Sequence, residues 1–380
     1  MASVTMPYHP KNLLVAGFAT RHVAASASRA GYAVYAVDRF CDADLFFYVQ
    51  DAETYLECAE LSRIVTSVCK KWNIDAILVT SGAESLVVDT VPVLGSHAEC
   101  AAKFCDKQQI QFFFEMHGIP APKQIDLMFP VSFVPGKQYL LKPCSGAGGW
   151  RNKAVANQND VDEWIETFQE PYLLQEYVSG IPASVCCVTT GMEARAIAVN
   201  MQIMRDDPEV PFGFSGSCTP FVDPCTELMI QLAEKAALAS GCIGIIGIDF
   251  IVGDEIWAIE INPRFQATLE TVERATGVNL VQAHIDACNG IISASIPRTP
   301  QYHQTSIRRI LFAETNFVWP SHFTEMNPLD DLTRFSDIPH PGTAFEPGHA
   351  VISVYGTGVD LDAAKRDLHT SITSVLQYIQ

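Results

Sequence analysis

Two carboxylates and an amide occur close together in residues 247–264, which are predicted to form a β-hairpin. Asp249 follows an apolar run, and after a Gly-Asp turn Glu260 stands among apolar residues just before Asn262. Alternation along the second strand places Glu260 and Asn262 on one face, and the neighbouring strand brings Asp249 beside them. Such oxygen donors suit Mg²⁺, which binds through one or two carboxylates together with substrate phosphates. The pattern predicts a magnesium site, and the alternative is an ordinary hairpin with a carboxylate at its end.

A lysine, Lys142, lies in a predicted apolar strand directly before a loop of small residues at 145–149. A lysine in such a strand is costly unless its ammonium group reaches an anion. Glycine-rich loops let backbone N–H groups approach phosphate oxygens closely, because no Cβ intervenes. The pattern favours a phosphate site that is not a P-loop, since the lysine precedes the glycines. A lysine extending to solvent from an edge strand is the alternative.

The bulk composition limits the class of protein. The chain has 380 residues, 48% hydrophobic and 18% charged, and its formal charge is −18. This length predicts two or three globular domains. The negative charge argues against nucleic acid as a partner, because phosphate backbones bind basic surfaces. Since no apolar run approaches membrane-spanning length and no secretory pattern is present, we expect a cytoplasmic protein with no membrane partner.

The cysteines favour a reducing compartment. There are 12 of them, scattered along the chain and without a CxxC pair. Zinc-ligand spacing is therefore missing from the sequence. Scattered thiols in apolar runs are typical of cysteines that act as small hydrophobic residues.

The first part of the chain alternates strands and helices. Residues 12–38 are predicted as strand, helix and strand, and a helix near 53–71 leads to a further strand at 75–80. This order predicts a small parallel sheet with helices on its faces. An alternative function, that of a dehydrogenase binding a dinucleotide, rests on Gly17 and Asp38 alone.

A second unit begins near residue 98 with a helix that Asp106 caps. Later predicted elements are strands at 139–143, 172–178, 184–190 and 194–204, helices at 225–240 and 270–291, short strands within 304–356 and a final helix at about 360–378.

Four features together resemble the ATP-grasp superfamily: Lys142 with its glycine loop, the QEYV segment at 175–178, Asp249, and the EINPR motif at 260–264. The chain is similar above all to the carboligase-like branch, near the carbamoyl-phosphate synthase large subunit and biotin carboxylase. The resemblance implies an α/β and α+β fold. Its parts would be a Rossmann-like domain at 1–97, an ATP-grasp domain at 98–300 with a glycine-loop lid at about 120–175, and a mixed α/β segment at 301–380 packing on the ATP-grasp core.

The resemblance also implies a role for each matching residue. Arg264 and Lys142 would be catalytic, with Arg264 stabilising the transferred phosphoryl group. Asp249, Glu260 and Asn262 would ligate Mg²⁺, or Mn²⁺ in its place. The residues implied to bind ATP are Lys107, Lys142, Ser145, Gly146, Gly148, Gly149, Gln175, Glu176, Tyr177 and Val178.

Two aspects of the site stay open at this point. Ala183 stands where family members commonly have an acidic residue for the ribose, so the ribose contact is unassigned. The substrate would lie near the carboxyl ends of the first strands, where Arg21 could hold a carboxylate and Glu84 an amine. Either residue could equally be structural.

The implied activity is that of an ATP-dependent carboxylate–amine (or thiol) ligase that forms an acyl phosphate and releases ADP and phosphate. Its partners would be a small carboxylate and an amine, with a second copy of the chain as a possible homodimer. A carboxylase acting through carboxyphosphate is the nearest alternative, and the sequence shows no biotinyl-lysine carrier segment. A non-catalytic nucleotide-binding protein is the other alternative.

Overall fold

A parallel sheet opens the part of the chain that the computed structural model describes, which comprises residues 8–127, 132–146, 148–321 and 333–379. Its strands are β1 (Asn12–Gly17), β2 (Ala33–Asp38), β3 (Asp51–Thr54) and β4 (Ala76–Val79), in the order β3-β2-β1-β4. Helices α1 (Arg21–Arg29) and α2 (Leu61–Lys71) cover its two faces. Leu13 and Leu14 show the alternation, since the first packs with α1 and the second with α2. The predicted parallel sheet is confirmed.

The prediction of one helix over 53–71 was wrong at its beginning. Residues 51–54 form β3, which pairs with β2, a 3₁₀ turn covers Cys58–Glu60, and α2 begins only at Leu61. Strand β3 is short, polar and largely exposed, so no apolar alternation marks it in the sequence. Its conformation is set by pairing with its neighbour.

The middle of the chain builds a smaller sheet. Helices α3 (Ala98–Lys103) and α4 (Lys107–Met116) precede it, and the predicted cap is confirmed, because the Asp106 carboxylate accepts the N–H of Gln108 at 2.8 Å. Strands β5 (Tyr139–Pro143), β6 (Lys153–Val155) and β7 (Tyr172–Glu176) pair antiparallel in the order β6-β5-β7. Helix α5 (Gln158–Phe168) packs Trp164 against this sheet.

An eight-stranded sheet forms the centre of the molecule. Its strands, in spatial order, are β12 (Ile256–Asn262), β11 (Gly244–Val252), β8 (Ile181–Thr189), β9 (Ala194–Met204), β10 (Phe214–Thr219), β13 (Thr305–Phe312), β17 (Ala350–Gly358) and β15 (Phe335–Ser336). The short strands β14 (Phe317–Val318) and β16 (Ala344–Phe345) pair separately. Strands after residue 300 therefore extend the same sheet that carries the predicted metal hairpin.

The two faces of the large sheet differ in polarity. Apolar side chains of β8, β9 and β11 pack against α6 (Thr226–Ala239) on one face. The other face carries a row of polar residues that lie side by side across neighbouring strands. These residues are Asp249, Ser184, Asn200, Gln202, Ser217, Arg308 and Tyr355. Polar side chains are costly to bury without hydrogen-bond partners. We therefore expect the residues of this row to bind one another or a polar ligand.

The prediction of a single helix over 270–291 was wrong. Two helices, α7 (Leu269–Thr276) and α8 (Leu280–Cys288), occupy this segment. Gly277 separates them in a left-handed conformation (φ +71°), and the Asn279 side chain then caps α8 by accepting the N–H of Gln282. Because the apolar spacing continues through both helices, periodicity alone predicts a single long helix. The final helix, α9 (Leu361–Ile379), packs on β17 close to the predicted bounds.

Candidate functional site

The hairpin of β11 and β12 brings the predicted metal ligands together. Asp249 pairs directly with Glu260 across the hairpin, and a register shift follows Asp249. Three side-chain amides donate hydrogen bonds of 3.0 Å to the Asp249 carboxylate; the donors are Gln202, Gln266 and Asn262. The amide nitrogen of Asn262 thus faces Asp249, whereas its oxygen accepts a hydrogen bond from Arg264.

This carboxylate is held where negative charge is costly. Asp249 is only 8% exposed, and burial raises its pKa, with the nearby charge of Glu260 adding to the rise. Among the residues that the structure describes, no group of three or more His, Cys, Asp or Glu side chains is arranged to hold a metal ion. Asp249 and Glu260 are two carboxylates, a set that fits Mg²⁺ when phosphate oxygens complete its coordination.

Two lysines face the hairpin from the smaller sheet and from α4. Lys142, in β5, is 5% exposed, and burial lowers its pKa to about 8 although Glu260 acts in the opposite direction. Lys107, the first residue of α4, donates a hydrogen bond from Nζ to the carbonyl oxygen of Gly146 at 2.5 Å. Its Nζ also lies 4.0 Å from Glu260 Oε1. Two buried charges, Lys142 and Asp249, and two half-buried ones, Lys107 and Glu260, therefore lie close together, which is the electrostatic setting of a site for phosphates and a cation.

The glycine loop adopts conformations that side chains disfavour. Gly146, Gly148 and Gly149 all have positive φ, at +106°, +71° and +72°. A Cβ at Gly149 would lie 1.8 Å from the carbonyl oxygen of Phe212, so the loop passes close to the segment before β10. Ser145 is exposed in the same loop. The glycines are thus required by backbone geometry at this turn.

The predicted adenine segment comprises the last two residues of β7 and the two residues after it, and the chain itself already uses some of its polar groups. Gln175 is buried and donates a hydrogen bond to Gln111 Oε1 at 2.7 Å. Glu176 lies 3.5 Å from the ammonium group of Lys137. The Tyr177 N–H donates to the carbonyl oxygen of Gln138, and Val178 is half-buried beyond it. A nucleotide base would therefore have to use groups other than the Tyr177 N–H.

Arg264 is held in place from two sides. Its Nε donates to Glu84 Oε1 at 2.7 Å, and its Nη2 donates to Asn262 Oδ1 at 3.1 Å. The other oxygen of Glu84 accepts the N–H of Gly82 at 2.8 Å. In this structure Glu84 therefore orients Arg264, whereas the sequence had suggested an amine as its partner.

The structure places Arg21 away from the lysines, in a buried ionic network. Arg21 is 2% exposed, donates both terminal nitrogens to Glu270, and donates Nε to Asp337 at 2.9 Å. The three donors that could hold a substrate carboxylate thus have partners within the chain. The observed geometry favours a structural role over the predicted substrate contact.

Two glutamines of the site were missed in the sequence. Gln202 comes from β9 and Gln266 follows the EINPR motif, and both bind the Asp249 carboxylate. Gln266 Oε1 is buried without a hydrogen-bond partner in the described structure. A Cβ at Gly247 would lie 1.8 Å from the Gln266 side chain, so that glycine makes room for it. The nearness of Gln266 to Arg264 in the sequence was the one available signal.

Comparison with known proteins identifies the domain that carries this site. Residues 104–268 match the family model of the ATP-grasp domain. This range includes both lysines, the glycine loop, the metal hairpin and Arg264. The chain therefore carries an ATP-grasp domain, in a fold of mixed α/β content.

Two relatives match most of the chain. One is an uncharacterized protein of Methanocaldococcus jannaschii, 26% identical over 96% of this chain and 91% of its own length. The other is the C-terminal section of the carbamoyl phosphate synthase large chain of Methanopyrus kandleri, 24% identical over 72% of this chain. Only 54% of that second protein is matched.

Solved structures share the fold over nearly the whole chain. The biotin carboxylase domain of Hydrogenobacter thermophilus 2-oxoglutarate carboxylase, in complex with MgADP and bicarbonate, has a TM-score of 0.76 at 14% identity, covering 97% of this chain and 90% of its own. The L-amino acid ligase of Bacillus licheniformis has a TM-score of 0.73 at 12% identity, and the match covers 97% of this chain and 98% of the ligase.

In the described part of the chain, no helix is both long and apolar enough to cross a membrane.

Proposed function

We propose that the protein is an ATP-dependent ligase that joins a small carboxylate to an amine or a thiol through an acyl phosphate. The observation that carries this proposal is the opposition of Lys142 and Lys107 to Asp249 and Glu260 around one position. The two buried groups, Lys142 and Asp249, would gain counter-charges when a nucleotide polyphosphate and a divalent cation enter. The likeness to an L-amino acid ligase over nearly the full length of both chains supports the same class.

Each residue of the site then has a task. The two lysines and the backbone of Ser145, Gly146, Gly148 and Gly149 bind the phosphates, and the loop is a mobile lid. Gln175, Glu176 and the backbone at Tyr177 and Val178 hold the adenine, with the carbonyl group of Tyr177 available because its N–H is donated to Gln138. Asp249, Glu260 and Asn262 would hold Mg²⁺ or Mn²⁺, and the cation would neutralise charge on the phosphates. For Asn262 the ligand would be its amide oxygen, which also accepts a hydrogen bond from Arg264.

The reaction takes place in two displacements. A carboxylate oxygen of the substrate attacks the γ-phosphorus of ATP, the bond to the ADP oxygen breaks, and an acyl phosphate forms. The amine then attacks the acyl carbon, phosphate leaves, and the amine loses a proton to solvent. Arg264 can bind phosphoryl oxygens in a bidentate manner while Glu84 fixes its orientation, so positioning and charge supply the acceleration.

The domain organisation is part of the proposal. Residues 1–97 would form a Rossmann-like domain, 98–300 the ATP-grasp domain with its lid at about 120–175, and 301–380 a segment that packs on the core. The strand order of the first sheet and the helix on each of its faces support the assignment of a Rossmann-like domain. The pairing of β13 with β10 supports the last. We also propose a homodimer in the cytoplasm. Neither nucleic acid nor a membrane is proposed as a partner.

The decisive experiment measures release of ADP and phosphate by the full chain with Mg-ATP across amino acids and small carboxylic acids. We expect turnover only with a carboxylate–nucleophile pair, and we expect Mg-ATP, but not NAD, to raise the melting temperature. When the substrate carboxylate carries ¹⁸O, label should appear in phosphate. Release of AMP and pyrophosphate would contradict the acyl phosphate. Turnover with bicarbonate alone would favour a carboxylase, the activity of the 2-oxoglutarate carboxylase domain that shares the fold.

The metal assignment has its own test. Glu260→Gln removes a charge from the cation site but keeps an oxygen, so turnover should fall and rise again in part at high Mg²⁺. Glu255→Gln, in the exposed turn of the same hairpin, is the matched control and should leave the Mg²⁺ dependence unchanged. If the Glu260→Gln enzyme works normally at low Mg²⁺, Glu260 is not a metal ligand.

A further inference from the structure

Two cysteines that are distant in the sequence face each other beside the large sheet. Cys100 lies in α3, and Cys242 lies just before β11. Their Sγ atoms are 3.6 Å apart, and Cys100 Sγ is also 3.3 Å from the carbonyl oxygen of Ser240. No role in the proposed ligase reaction uses either thiol.

The two segments that carry these thiols are already fixed to each other. The Ser96 hydroxyl accepts the N–H of Ile243 at 3.2 Å and donates to the carbonyl oxygen of Ile243 at 3.3 Å. Because a disulfide has an S–S distance of about 2.05 Å, the sulfur atoms must approach by roughly 1.5 Å. A rotation of the side chains can supply this movement without separating the segments.

Access to the pair is unequal. Cys242 is fully buried, whereas Cys100 is partly exposed to solvent. The hydrogen bond between Cys100 and Cys242 lowers the pKa of Cys100; burial opposes this effect, and the charge of Lys103 assists it. The same hydrogen bond and burial raise the pKa of Cys242. Reactive cysteines are those that combine access with thiolate character, so Cys100 is the attacking group and Cys242 the resolving one.

We propose that Cys100 and Cys242 form a site of reversible oxidation that closes to an intramolecular disulfide with a small disulfide such as oxidised glutathione. The Cys100 thiolate attacks one sulfur of the oxidant, and one glutathione thiolate leaves. Cys242 loses its proton to that thiolate or to solvent and attacks the mixed disulfide at Cys100, and the second glutathione leaves. The two protein thiols are oxidised by two electrons, and the oxidant is reduced to two glutathione molecules.

The consequence is a covalent link between two segments that lead into the nucleotide site. Cys100 precedes α4, whose first residue is Lys107, and Cys242 precedes β11, which carries Asp249. The link would close a long loop of the unfolded chain, which stabilises the folded state as long as the native geometry accommodates the bond. The proposal is independent of which substrate the protein uses.

The experiment treats the full chain with oxidised glutathione, digests it without reduction and searches by mass spectrometry for the peptides of Cys100 and Cys242 joined. We expect that crosslink, together with a rise in melting temperature of several degrees that dithiothreitol reverses. Cys100→Ser and Cys242→Ala should each lose both effects. Cys58→Ser, which removes an exposed cysteine in a 3₁₀ turn of the front part, should keep both.

Two results would overturn the proposal. One is a stable glutathione adduct on Cys100 while Cys242 remains a free thiol. The other is a thermal gain that survives in Cys100→Ser, because the stabilisation would then come from other cysteines. Since Cys100 is partly exposed, its serine variant should fold and keeps the test valid even if a variant at Cys242 does not.

Discussion

Two clusters of buried charge differ in the pKa shifts of their central groups, which are Asp249 and Lys142 in the proposed nucleotide site and Arg21 and Glu270 in a second, ionic network. In the nucleotide site, burial raises the pKa of Asp249 and lowers that of Lys142, so both groups are shifted toward their neutral forms. For Arg21 and Glu270 the effect of burial is outweighed, although burial still raises the pKa of Asp44, which lies 3.5 Å from Arg21, to about 7. The Arg21 guanidinium holds the pKa of Glu270 well below its usual range, and Glu270 in turn raises that of Arg21.

The geometry explains the difference. In the network Arg21 donates to Glu270, Tyr355 also donates to Glu270, and Arg308 donates to Asp337 at 2.9 Å. The Arg274 guanidinium lies 3.9 Å from the centre of the Tyr355 ring. In the proposed nucleotide site Asp249 accepts hydrogen bonds from three neutral amides, Glu260 lies 4.0 Å from the ammonium group of Lys107, and the charge of Lys107 acts on Lys142. The central pair of the ionic network is thus formed within the folded protein, whereas the proposed nucleotide site would gain its counter-charges from a ligand.

The largest effect that we expect comes from breaking the network. Arg21→Met removes the cation between Glu270 and Asp337 and leaves buried carboxylates unpaired, so the free energy of unfolding should fall by about 3–5 kcal/mol. Chemical denaturation measures this loss. Adding Glu270→Leu should restore part of it, because the double variant replaces the pair with apolar groups. If Arg21→Met lowers the free energy of unfolding only slightly but abolishes turnover, the result would support the predicted contact of Arg21 with the substrate.

The opposite result is expected in the nucleotide site. Lys142→Met removes a buried cation that lacks a full counter-charge, so the free energy of unfolding should stay the same or rise. Turnover should fall on the order of 100-fold, because a charge that stabilises the transferred phosphoryl group is lost. Lys70→Met, at an exposed position of α2, is the control. Normal ATP binding and turnover in Lys142→Met would contradict the phosphate role of Lys142. A large loss of stability would show that Lys142, like Arg21, is a structural charge.

A smaller and more specific effect is expected at Arg264. Arg264→Lys keeps the charge but loses bidentate geometry, so kcat should fall about tenfold or more while ATP affinity changes little. Glu84→Gln should reproduce a part of this loss, since Glu84 only orients the guanidinium. Arg63→Lys, at an exposed site on α2, should change neither quantity. Equal losses of kcat and ATP affinity in Arg264→Lys would place this residue in ground-state binding.

The smallest effect concerns a buried group that is satisfied in its neutral form. His284 accepts the N–H of Ile245 at Nδ1, and burial lowers its pKa to about 4. The unfolded chain binds this proton below about pH 6.5 while the folded chain does not, so stability falls as pH drops from 6.5 toward 4. Between pH 7 and 5.5 the wild type should lose about 1 kcal/mol more than His284→Gln. His303→Gln is the control, and identical pH profiles for wild type and His284→Gln would refute the assignment.

Much of the molecule follows from local sequence. The parallel sheet, the Asp106 cap, the antiparallel strands of the large sheet and the hairpin of β11 and β12 could all be predicted, because alternation, capping residues and turns act over a few residues. The elements that failed are those whose local signal is weak or misleading. Strand β3 is polar and depends on its neighbour, and α7 and α8 share one apolar period across Gly277. The EINPR motif and the glycine loop were likewise visible, since their residue types suit cations and phosphates.

The sequence alone did not determine which charges would be neutralised. Arg21 and Glu84 were predicted to face a substrate, but Arg21 meets Glu270 and Asp337, and Glu84 meets Arg264. These partners lie far away in the chain, and Gln202 reaches Asp249 only because β9 and β11 flank β8 in the sheet. Residue types and spacing thus specified the chemistry that each segment could offer. Strand order and helix packing decided which charges pair with each other and which remain for a ligand, since the energy of a buried charge depends on the groups that surround it in space.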